Sequence, residues 1–205
     1  MNTKHTRRAA AAIAVVLGCL GFLAGPASAA THTGTIVPPS SIILHGNITG
    51  DHEFKLGAPP EDPPPSSCGL PDPVDWEPST IDFDITGTSV TTSFSFEPGH
   101  APVNGSDYRA QISGGGSGTV LSNGDVDVTV TGSVDFSACS PGYPYVCSVG
   151  FSANLTGTIT PYPVVAGSTA TVTGTASLSP SSSCPLPFIF ELAGATADVV
   201  FVIDF

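Results

Sequence analysis

Four histidines follow the first 29 residues of the chain, His32, His45, His52 and His100, and they stand among many serines and aspartates. A histidine held between a serine and an aspartate is the raw material of acyl transfer: the imidazole takes the hydroxyl proton and the carboxylate holds the imidazole. Folding assembles such a triad, and no local signature announces one here. The chain has no Gly-x-Ser-x-Gly elbow and no His-Glu-x-x-His motif. An extracellular hydrolase with an unrecognised site is one reading this leaves open.

Two carboxylate pairs, Asp82 with Asp84 and Asp125 with Asp127, are spaced two residues apart. On a strand this spacing puts both acids on one face, about 7 Å from each other. That suits a glycosidase pair or a calcium ion. A solvated strand face explains the same spacing more simply, because no EF-hand or other dense oxygen-ligand motif is present. In Asp51-His52-Glu53 adjacent residues alternate faces, so on a strand His52 points away from both acids. No catalytic residue, metal site or cofactor is assigned. Three glycosylation sequons begin at Asn47, Asn104 and Asn154, and they matter only in a host with that machinery.

The cysteines carry a stronger signal. The apolar run from Ala9 to Ala24, preceded by Lys4, Arg7 and Arg8 and followed by Ala27-Ser28-Ala29, reads as a secretory signal peptide over residues 1–29. Four cysteines lie beyond it: Cys68, Cys139, Cys147 and Cys184. An even count in an exported chain implies two disulfides. Closing the segment CSPGYPYVC pairs Cys139 with Cys147, which leaves Cys68 with Cys184. One feature opposes this pairing: with unbroken strand phases Cys139 falls on a polar face and Cys147 on an apolar one, whereas cross-strand partners share a face. Pro141-Gly142 and Pro144 offer a place to reset the phase.

Beyond the signal only Lys55 and Arg109 oppose 17 acidic side chains. Such a surface repels phosphate backbones and anionic lipid headgroups, so neither nucleic-acid binding nor electrostatic membrane docking is expected. The partner class left is an extracellular or envelope ligand.

The elements that must position these groups are strands. From Gly124 to Ser137 the residues Val126, Val128, Val130, Val134 and Phe136 alternate with Asp, Thr and Ser, the period-two pattern of a strand with one buried face. A second run, Ser148 to Thr160, makes a long hairpin with it. Val90 to Glu97 and Thr169 to Leu178 alternate likewise, and weaker candidates are 33–37, 42–49, 81–86, 108–113, 188–192 and 195–204. The predicted fold is all-β: an antiparallel β-sandwich, immunoglobulin-like or jelly-roll, or alternatively a closed β-barrel, with no helix beyond the signal peptide. Residues 30–205 are expected to form a single domain.

Residues 58–78 interrupt it with eight prolines in 21 residues, a composition that cannot supply a central strand. This Pro-rich loop holds Trp76, the only Trp of the chain, with Asp72 and Asp75, and is the candidate ligand-binding loop. Gly114-Gly115-Gly116-Ser117-Gly118 reads as a flexible connection. Thr-Gly pairs recur at irregular intervals, and glycine within a strand pattern marks a bulge, or a bend that lets a long strand coil. The last strand, ADVVFVIDF, resembles the terminal strand of bacterial outer-membrane barrels, but four tyrosines and one Trp are too few for two aromatic girdles. The expected function is thus a secreted, disulfide-stabilised protein with a binding or structural role outside the cell or in the cell envelope. An envelope β-barrel or pore is the alternative, beside the hydrolase.

Overall fold

A computed structural model describes residues 30–57, 79–103, 106–138 and 145–205, with the backbone alone at 98–103, 106–107 and 145. The expected signal peptide at 1–29, the Pro-rich segment 58–78 with Cys68, Asp72, Asp75 and Trp76, and Cys139 lie outside the described residues. Nine strands and one short helix follow in order: β1 (Ala30–Gly46), β2 (Gly50–Lys55), β3 (Thr80–Thr86), β4 (Ser89–Val103), β5 (Ser106–Val120), β6 (Asp125–Ala138), β7 (Tyr145–Thr160), β8 (Thr169–Pro180), α1 (Leu186–Leu192) and β9 (Thr196–Asp204).

Every pairing is antiparallel, each strand from β3 onward lies beside its successor, and β9 returns to pair with β1. The sheet is a closed barrel, so the sandwich expectation gives way to its alternative. The physical reason is the pattern: alternation carries through long strands with only local register shifts, and one continuous sheet buries its single apolar face by closing on itself. The barrel has eight staves, because β2 and β3 lie end to end along one edge of β1. Residues Ser41–Gly46 pair with β2, and Ala30–Thr35 pair with β3. The described residues stop at Gly57 after β2 and resume at Ser79 before β3, so both flanks of 58–78 belong to this one stave.

The interruption of β1 between its two pairings is written in the sequence. Pro38 and Pro39 have no N–H to give the ladder, and the β1–β9 register shifts between Val37 and Ser41. Ser40, 2% exposed, repairs the gap. Its hydroxyl donates to the Val37 carbonyl at 2.6 Å and accepts the Val202 N–H at 2.8 Å, while its own carbonyl accepts the Leu56 N–H at 2.8 Å. The weaker candidate at 33–37 and residues 42–46 of the one at 42–49 are thus one strand with a bend, and 47–49 form the turn to β2.

Inside the barrel, Val126, Val128 and Val130 of β6 meet Ala153, Leu155 and Ile159 of β7 and Ala170, Val172 and Ala176 of β8, all buried. The long hairpin formed by β6 and β7 is present in the expected register phase, Val128 opposite Leu155. The glycine run is strand rather than linker. Gly114, Gly116 and Gly118 fall on the inward phase of β5, between Ile112 and Val120. A Cβ on Gly116 would stand 2.8 Å from Val130 Cα, and one on Gly118 would stand 2.7 Å from Val128 Cα. The absence of side chains there lets the wall curl tightly enough to close. The Thr-Gly glycine Gly132 likewise sits in an unbroken ladder, opposite Gly114 and Phe151, and is no bulge.

The expectation of no helix fails at 188–192. A strand would put Phe188, Phe190 and Leu192 on one face; α1 instead buries Phe188 and Leu192, four residues apart, and leaves Phe190 61% exposed. Pro187 favours this outcome, since in the first helical turn its missing N–H costs no hydrogen bond.

Candidate functional site

Three places in the described structure hold groups that could act: the top rim with its helix, an outer histidine cluster, and the barrel interior. At the rim, α1 spans the connection from β8 to β9. Phe188 packs edge-on against Tyr108 and tilted against Phe136, with ring centroids 4.8 and 5.2 Å apart. Glu191, 2% exposed, accepts the Ile48 N–H at 3.0 Å and the Thr49 N–H at 3.1 Å, together with the Thr49 hydroxyl. The Asn47 side chain donates in the opposite direction, to the Phe190 and Ala193 carbonyls at 3.1 Å each. The first sequon is therefore part of the joint that ties the β1–β2 turn to α1. Gly46 belongs to the same joint: a Cβ there would overlap the Glu191 carboxylate.

The other end of the α1 segment is held covalently. Cys184 bonds to Cys147, with Cα atoms 4.8 Å apart. This corrects both expected pairings, Cys139 with Cys147 and Cys68 with Cys184. Cys147 lies opposite Phe136 on the inward phase of β7 and is 1% exposed. The turn after β8, with the Ser181 N–H donated to the Ser148 carbonyl at 3.1 Å, swings Cys184 over it. The phase conflict between Cys139 and Cys147 was the visible sign.

On the outer wall His45 of β1 stands between Asp51 of β2 and Asp198 of β9, at 2.8 and 3.2 Å from its two ring nitrogens. Thr175 of β8 donates its hydroxyl to Asp198 at 3.0 Å. The hydrogen bond to Asp51, and next that to Asp198, raises the His45 pKa above its ordinary value; His45, and next Thr175, lowers that of Asp198. Both ring nitrogens are taken up by carboxylates, so this imidazole offers no lone pair to a hydroxyl. Of the residues singled out from sequence, Asp51 enters this cluster, while His52 lies edge-on to Phe54 at 4.6 Å and His32 edge-on to Phe205 at 6.5 Å. The link between His45 and Asp51 was legible as a hairpin pair across Gly46–Gly50; that to Asp198, 153 residues away, was not.

The carboxylate pairs behave as solvated strand faces. Asp82 accepts the Thr33 hydroxyl at 2.6 Å and Asp84 that of Thr31; Asp125 accepts from Thr158 at 3.2 Å and from Asn123 at 2.8 Å. Among the described residues no group of three or more His, Cys, Asp or Glu side chains is arranged to hold a metal ion.

The interior cavities are lined by apolar side chains except for Thr92, and the interior is incompletely filled. A cavity of about 50 Å³ lies among Phe94, Phe96, Phe151 and Phe201, and Phe94 and Phe151 stack over the bare positions of Gly114 and Gly132. A cavity of about 40 Å³ shares Ile112 and Val134 with it and reaches Leu192 of α1, and one of about 10 Å³, beside Phe83 and Thr92, shares Val130 and Leu155 with it. Thr92 is 8% exposed, and its Oγ1 is the one buried side-chain polar atom without a hydrogen-bond partner among the described residues. Sequence reading passed over it, although a Thr between Val90 and Phe94 on the apolar phase of β4 is a visible irregularity.

No protein-family model, no characterised protein and no solved structure matches this chain.

Proposed function

We propose that this protein is an exported, water-soluble β-barrel with a binding role outside the cell or in the cell envelope, and that it is neither a pore nor a hydrolase. The observation that carries this reading is the direction of the side chains. The outer faces of β6, β7 and β8 present Asp125, Asp127, Thr129 and Thr131, then Ser152, Asn154, Thr156 and Thr158, then Thr169, Thr171, Thr173 and Thr175, all exposed. The inner faces are Val, Leu, Ile, Ala and Phe. A lipid-embedded barrel needs the reverse, an apolar outer band about 25 Å tall, and a pore needs a polar lumen. Half-buried Ile43, Val200 and Val202 on the outer face of β1 and β9 are too few to make such a band.

The Cys147–Cys184 bond fits an oxidising compartment, in agreement with the export pattern at the N-terminus. The acidic surface leaves nucleic acid and anionic membranes as poor partners. Against hydrolysis stands the carboxylate clamp on both nitrogens of His45. Cell fractionation of the full chain without detergent, followed by liposome conductance on the purified protein, tests the proposal. Recovery in the soluble extracellular or envelope fraction with no conductance is expected. Sedimentation with membranes, release only by detergent, or channel currents would overturn it.

A further inference from the structure

We propose that the outward edge of β2 is a docking edge for an extended peptide in which basic and apolar residues alternate, taken up as an added strand. The inference rests on the reading of the protein as a binding barrel and names the surface and the partner class.

Between β1 and β4 the wall is carried by β3 in its lower part and by β2 in its upper part. β3 pairs with both neighbours, whereas among the described residues β2 shares a ladder with β1 alone. β2 and the upper part of β4 approach each other over only a small part of their length, unlike any two strands that pair. The wall therefore has a seam there, bounded by two strand edges.

The backbone groups that face the seam follow from the register. The Leu56 N–H donates to the Ser40 carbonyl, so by the alternation of an antiparallel pair Phe54 and His52 also turn their peptide groups towards β1. Asp51 and Glu53 turn theirs to the seam, and no strand among the described residues receives them. Across the seam, upper β4 contains Pro98 and Pro102, which have no N–H to give. Two N–H and two carbonyl groups along an edge are a template for another strand.

The side chains select that strand. Asp51 and Glu53, ahead of Lys55, stand exposed on the outer face, and Phe54 is buried on the inner one. A second copy of β2 would set acid against acid, which is unfavourable between neighbouring strands. A strand with Lys or Arg outward and Val or Ile inward meets both acids with opposite charge and continues the apolar lining. Ile48, in the turn that leads into β2, is 62% exposed and offers the incoming chain an apolar contact at the rim.

The experiment uses the full chain and, as probe, a seven-residue acetylated peptide amide of alternating Lys and Val. The same peptide N-methylated throughout is the control, since it keeps the charge and loses the donors. Amide exchange followed by NMR is the readout. In the free chain the Asp51 and Glu53 amides are expected to exchange at least about 10-fold faster than that of Phe54, which β1 holds. The Lys-Val peptide should slow both saturably by about 10-fold or more and leave Val128 on β6 unchanged, and the N-methylated peptide should slow neither. Glu53→Pro deletes one edge N–H, leaves the β1 ladder whole and should abolish the response at Asp51. Glu53→Gln keeps the N–H and should weaken the peptide about 2- to 5-fold, the equivalent of one exposed ion pair. Protection of Asp51 and Glu53 in the free chain equal to that of Phe54 would mean that the edge is already covered, by another part of the chain or by a second copy, and would overturn the inference. Equal slowing by the N-methylated peptide, which reports charge attraction alone, or no slowing up to the solubility limit would overturn it too. Soluble, non-conducting protein that ignores the peptide rejects this edge and leaves the proposed function standing; channel currents reject the proposed function whatever the peptide does.

Discussion

Replacing Glu191 by alanine removes the acceptor that joins α1 to the β1–β2 turn. Two backbone N–H groups, of Ile48 and Thr49, and the Thr49 hydroxyl lose their partner at once. Hydrogen bonds to a charged acceptor contribute about 1.5–3 kcal/mol each. Water can regain part of this, because the turn is open enough to leave the Ile48 side chain 62% exposed. The net destabilisation expected for Glu191→Ala is about 2–4 kcal/mol. Glu191→Gln should lose only about 1 kcal/mol: its carbonyl oxygen still receives a backbone N–H, and the Thr49 hydroxyl can rotate to accept from the amide nitrogen. Equilibrium denaturation in urea gives the two values, and amide exchange at Ile48 and Thr49 reports whether the turn itself has been released. If alanine falls within about 0.5 kcal/mol of wild type, or glutamine is as damaging as alanine, the hydrogen bonds are not what holds this joint. Glu191→Met supplies the opposite control: were desolvation of the buried carboxylate to outweigh its hydrogen bonds, the methionine variant would match or exceed wild type.

Two further outcomes follow from the structure. A non-reducing peptide map should yield Cys147 linked to Cys184; opening this loop of 37 residues' separation by Cys184→Ser should cost about 4 kcal/mol on chain-entropy grounds, and a map pairing Cys147 with Cys139 would restore the original assignment. The stability difference between wild type and His45→Gln should depend on pH. With its pKa raised above 6.5, His45 contributes fully below that value and loses its contribution as pH climbs through the raised pKa; with its pKa lowered from 3.8, Asp198 contributes above that value and loses it on acidification. The difference is therefore largest between about pH 4 and 6.5, and a difference that stays flat from pH 4 to 9 would exclude the clamp.

The amino-acid sequence by itself determined the local half of this protein. Alternation of Val with Thr and Asp over Gly124–Ser137 dictates a two-faced strand wherever it is placed, since successive side chains must point to opposite sides of the pleat. The β6–β7 hairpin and the interruption at Pro38-Pro39 follow from equally local rules. Closure does not, because whether two strands 160 residues apart in sequence become neighbours depends on how far the sheet between them curls. Here β9 reaches β1 because Gly114, Gly116, Gly118 and Gly132 leave the inner wall bare; the run at 114–118 reads locally as a linker, whereas Gly132, within an alternating strand, was legible as a place for the strand to coil.

The candidate sites divide in the same way. Asp82 with Asp84 was correctly legible as one wet face, because two-residue spacing is a local geometry. Cys147 with Cys184, His45 with Asp198, Glu191 with Thr49, and the unpartnered hydroxyl of Thr92 among apolar walls are all meetings of distant segments. The tertiary structure alone decided them, since each exists only once the last strand has closed the barrel and α1 has turned over its rim.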